Sequence, residues 1–60
     1  MTRALLMTAR EAAARLGIGP VAVLDLADAG RIESEDIAGQ TFIVTASLDQ
    51  YARELSGVSQ

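Results

Sequence analysis

A mainly α domain with one small β-hairpin is the fold class that this sequence predicts, on three observations. Two short helical stretches are separated by only Gly17-Ile18-Gly19. Beyond Arg31-Ile32 the spacing of apolar residues changes from helical to alternating, then returns to helical from about residue 46. The chain has 60 residues, and at that size only about 60% of the unfolded surface is buried, which leaves one thin core. A single domain is expected over 1–60, with an ordered core from about 5 to 55 and a frayed tail over 56–60.

Thr8-Ala9-Arg10-Glu11 reads as a capping box, the Thr hydroxyl and the Glu carboxylate each satisfying a backbone donor at a helix start. The first helix should therefore run from Ala9 to Leu16 and stop at Gly17, since glycine accepts the left-handed geometry just past a helix end. Ala9, Ala12, Ala13 and Leu16 share one face, so a second helix can approach closely. Gly19-Pro20 opens that second helix, because proline at the first helical position has its φ preset and sacrifices no hydrogen bond. It should extend to about Ala29, with Val23, Leu26 and Ala27 inward and Gly30 as its end. Two short helices joined by so tight a turn make a helix-turn-helix unit. Ile37 before Ala38-Gly39-Gln40 and Phe42-Ile43-Val44 after it predict a small hairpin, or wing. A third helix should run from about Ala46 to Leu55, capped by Thr45 or Ser47, with Leu48, Tyr51, Ala52 and Leu55 on its inner stripe.

Composition removes several classes of function. The chain has neither cysteine nor histidine, so disulfides, thiolate chemistry, the usual zinc sites and imidazole catalysis are excluded, and no Ser or Thr has a histidine to activate it. Gly17-Ile18-Gly19-Pro20 lacks the Lys-Ser/Thr of a phosphate loop, and Glu33, Glu35 and Asp36 lack the spacing and glycine of a calcium loop. A non-enzymatic protein without metal, cofactor or small-molecule substrate is expected. Met1 to Thr8 holds one Arg and the short run Ala4-Leu5-Leu6-Met7, far below the ~20 apolar residues of a spanning helix. A cytoplasmic protein without a membrane partner is therefore expected.

The order of these elements, with Leu6-Met7-Thr8-Ala9-Arg10-Glu11-Ala12-Ala13, Leu16-Gly17-Ile18, Ala29-Gly30-Arg31-Ile32 and Thr41-Phe42-Ile43-Val44-Thr45-Ala46-Ser47-Leu48, resembles the excisionase and MerR-like winged helix-turn-helix family. The resemblance runs nearly end to end and is specific for the fold rather than the ligand. It implies a regulator of transcription or recombination that places its second helix in the DNA major groove and its wing on the backbone or minor groove.

The charge map departs from that expectation. Net charge is −3. Through Val23, Arg3, Arg10 and Arg15 stand against Glu11; from Leu24 to Asp49, Arg31 alone stands against Asp25, Asp28, Glu33, Glu35, Asp36 and Asp49. Phosphate neutralisation by Lys and Arg supplies most DNA affinity, so an acidic second helix and wing weaken it. Asp25 and Asp28 share one helix face and read either as solvated surface or as a partner surface. Val21 and Leu24 point away from the inward stripe, either as an exposed apolar pair ringed by acids or with Leu24 folded against the wing. Arg10 and Arg15 serve either phosphate contact or solubility, and Arg31, beside the helix-ending Gly30, is structural by default.

The candidate recognition surface, for DNA or protein, is therefore Thr8, Arg10, Pro20, Val21, Ala22, Leu24, Asp25, Asp28, Glu35, Asp36 and Gln40. Two readings follow. One is a DNA-linked regulator, assisted by a basic partner or neighbour. The other is a winged-helix protein-interaction module, DNA-mimicking in its special form, whose partner is another protein or a second copy.

Overall fold

Thr8 opens the first helix with the reciprocal bonds that its sequence predicts: its N–H donates to Glu11 Oε1 at 3.1 Å, and the Glu11 N–H donates to Thr8 Oγ1 at 3.1 Å. The protein is seen in a computed structural model that describes residues 5–56; Arg3 and the tail residues 57–60 lie outside them. The elements follow in the order β1 (Leu6–Thr8), α1 (Ala9–Leu16), α2 (Pro20–Asp28), β2 (Ser34–Ile37), β3 (Gln40–Val44) and α3 (Thr45–Leu55). Among the described residues, three helices and a three-stranded antiparallel sheet make an α+β arrangement, with more sheet than a lone hairpin.

Both helices of the first pair end in the same way. Gly17 takes a left-handed φ of 72°, and the Ile18 N–H reaches back to the Ala13 carbonyl at 3.0 Å. At the end of α2, Arg31 N–H bonds the Leu26 carbonyl at 2.9 Å and Gly30 N–H bonds that of Ala27 at 3.1 Å, the paired closure of a Schellman ending. Arg31 thus serves that end through its backbone.

The unexpected element is β1. Leu6, Met7 and Thr8 pair with Val44, Ile43 and Phe42, so β3 becomes the central strand in the order β1-β3-β2. The hairpin turn is also shorter than predicted. Gln40 belongs to β3, opposite Ile37, and the turn is Ala38-Gly39, with φ of 54° and 79°. Two successive positive φ angles match the right-handed twist of the strands they join. α3 begins one residue earlier than expected, at Thr45, with Val44 in the N-cap position and no side-chain cap. Ser47 Oγ instead accepts the Glu33 N–H at 2.8 Å, tying the loop after α2 to α3.

The core gathers one or two residues from almost every element: Met7, Ala12, Ala13, Val23, Ile32, Ile43 and Leu48. Ala9, Leu16, Leu26, Ala27 and Tyr51 pack around it. All four residues of β2 are exposed. Leu55, expected on the inner stripe of α3, is 62% exposed because the helix runs on past the core. Among the described residues, no helix is long and apolar enough to cross a membrane.

Candidate recognition surface

Helix α2 has two unlike sides. Val23 is fully buried, with Leu26 and Ala27 packed beside it. Val21, Leu24, Asp25 and Asp28 recur at i, i+3, i+4 and i+7, so they form a second stripe turned outward. Val21 is 71% exposed and Leu24 41%.

The hairpin stands beside this outward stripe and divides the space into two open clefts that share Leu24 and Thr41. The larger, about 570 Å³, is bounded by Thr8, Arg10, Leu24, Gly39, Gln40 and Thr41. The smaller, about 280 Å³, is bounded by Leu24, Asp25, Asp28, Ser34, Asp36 and Thr41. Leu24 therefore sits at their junction, outside the core yet against the hairpin.

Strand register decides which acids of the hairpin reach this face. Asp36 is paired with Thr41, and the Thr41 hydroxyl donates to Asp36 Oδ1 at 2.8 Å, which fixes one carboxylate oxygen on the wall opposite α2. Glu35 is opposite Phe42 and, by the alternation of the pleat, lies on the other face of the sheet. Pro20 and Val21 are exposed at the start of α2 and Ala22 is half-buried there; none of the three lines either cleft. The structure thus gathers Thr8, Arg10, Leu24, Asp25, Asp28, Asp36 and Gln40 along one pair of clefts and leaves Glu35 apart. Thr41 was missed by sequence reasoning; only its register with Asp36 brings it to the junction.

Two details set the electrostatics. The first turn of α1, a ready anion site in an uncapped helix, is closed by the Glu11 carboxylate, with the Thr8 N–H, the Glu11 N–H and the Thr8 hydroxyl all engaged. Arg15 faces away, 3.5 Å from Asp49 of α3. Among the described residues, Arg10 is the one cation lining the two clefts, against Asp25, Asp28 and Asp36. Asp28 also stands in the last turn of α2, which has no basic residue, so the helix dipole disfavours its charge. Among the described residues no polar side chain is buried, and no three acidic groups come close enough to share a metal ion.

No protein-family model, curated protein or solved structure matches the chain. Its functional reading rests on the geometry above.

Proposed function

We propose that this chain is a small, non-enzymatic regulatory protein of the excisionase/MerR-like winged helix-turn-helix type, acting in transcription or recombination, with α2 and the β2–β3 hairpin as its recognition face. The observation that carries this reading is the meeting of that hairpin with the outward stripe of α2 along Leu24 and Thr41, next to a helix pair joined by three residues. In a domain of this type α2 enters the major groove and the hairpin follows the backbone. Pro20, Val21 and Ala22 then lead into the groove, while Arg10 and Gln40 are placed toward phosphate.

Affinity for DNA is weak in the isolated chain, because each neutralised phosphate needs a Lys or Arg and, among the described residues, Arg10 alone lines this face. Occupancy on DNA draws on a basic partner or a neighbouring DNA-bound protein. The test is Asp25→Arg combined with Asp28→Arg, which converts the face to cationic and places both new charges favourably near the helix end, by about 0.3–1 kcal/mol each at most. The variant should bind a DNA duplex more tightly than the parent, with a steeper dependence on salt, and melt no lower. An unchanged duplex titration in a variant folded by circular dichroism would remove DNA from the reading.

The cleft between α2 and β2 favours a second reading. Asp25, Asp28 and Asp36 line it with no cation beside them among the described residues, which suits a protein-interaction module better than a DNA reader.

A further inference from the structure

We infer that the cleft between α2 and the hairpin docks a basic amphipathic protein segment, with an aliphatic side chain over Leu24 that extends along the outer stripe to Val21, just outside the cleft, and Lys or Arg side chains at Asp25, Asp28 and Asp36. This rests on the protein-interaction reading and gives its partner a chemistry. The apolar half of the inference comes from α2. A valine 71% exposed and a leucine 41% exposed, one turn apart on the same stripe, leave apolar surface in water that burial would stabilise by roughly 25 cal/mol per Å². The polar half comes from both walls. Asp25 and Asp28 project from α2, and Asp36 stands across from them on β2, steadied by the Thr41 hydroxyl.

Charge and shape together discriminate among occupants. A DNA duplex would bring phosphates against three carboxylates. A second copy of this chain brings no matching basic patch among the described residues: Arg10 borders the same face, Arg15 is paired with Asp49, Arg31 shares a cleft with Glu33 and Glu54, and Arg53 is a single cation in the last turn of α3, next in sequence to Glu54. A simple polycation satisfies the acids but leaves Val21 and Leu24 in water. A segment with cations flanking an aliphatic residue answers all of these features, in the manner of an amphipathic helix laid into a groove.

The test titrates the full chain, isotopically labelled for amide NMR, with a synthetic amphipathic peptide carrying leucines at i, i+3 and i+4 among arginines and lysines. A control peptide of equal charge has serine at each leucine. The expected result is saturable binding that moves the amides of α2 and β2, with the control about tenfold weaker. Asp25→Asn with Asp28→Asn and Asp36→Asn should weaken the leucine peptide about tenfold or more, and Val21→Ser with Leu24→Ser should reduce it to the level of the control. These positions are exposed or line the open clefts, and circular dichroism checks that each variant keeps its helices. Equal binding of the two peptides, or shifts spread away from α2 and β2, overturns the inference. A DNA duplex titrated in parallel separates the failures. If the duplex moves the α2 and hairpin amides and the peptide does not, the recognition face stands and the partner chemistry falls; if neither does, both fall.

Discussion

Helices α1 and α2 are nearly equal in length and meet at one short turn, yet they differ in what holds them. The start of α1 is closed by Thr8 and Glu11, its last turn carries Arg15, and Ala12 and Ala13 are buried at 0% and 3%. Helix α2 starts on Gly19-Pro20 without a side-chain cap, ends on Asp28 without a compensating base, and places only Val23 wholly inside. Local interactions therefore stabilise α1, while α2 depends on its inner stripe and on the backbone closure at Gly30. The outer stripe of α2, with Val21 71% exposed and Leu24 41%, is the less buried of its two sides, and the recognition face proposed above draws on it.

Substitutions on the two helices can break the contrast. The largest effect is expected from Ala13→Leu, because extra methylenes have no room where α1 meets the core; the loss should be about 1–3 kcal/mol, read as a lower thermal midpoint. An unchanged midpoint would mean that α1 is not closely packed. Thr8→Ala removes the hydroxyl that receives the Glu11 N–H and should cost about 1 kcal/mol in urea unfolding. Smallest of all is Val21→Ser on the outer stripe of α2, which should change stability by no more than about 0.5 kcal/mol. A loss as large as that of Thr8→Ala would show that Val21 supports the fold and would dissolve the distinction between the helices.

Legibility in the sequence followed the range of each signal. The bounds of α1 are written within the helix itself, in a threonine and a glutamate three residues apart and a glycine past the end, and the structure has them at the predicted residues. The inner stripes of α1 and α2 were legible for the same reason, since helical spacing alone determines which residues share a face. The hairpin turn was read one residue too long because a polar Gln40 carries no local sign of a strand; its pairing with Ile37 brings it into β3 and closes the turn on Ala38 and Gly39, Ala38 at a φ of 54°. The third strand left no local trace. A stretch of three residues has no period to detect, and Met7 becomes a strand residue only when Ile43 is beside it.

By itself, the sequence determined that the chain lacks the side chains of thiol and imidazole chemistry, that two helices follow one another across a three-residue turn, and that acid accumulates from Leu24 onward. Those are properties of residue identity and short-range spacing. The tertiary structure decided which charges act together. Pleat alternation parted Asp36 from its neighbour Glu35, the end of α1 brought Arg15 within 3.5 Å of Asp49 on α3, and the register of β3 set Thr41 against Asp36 beside Leu24. Each depends on contacts between residues distant in the chain or on which side of a sheet a residue falls, and both are set only when β1, β3 and α2 close on the same core.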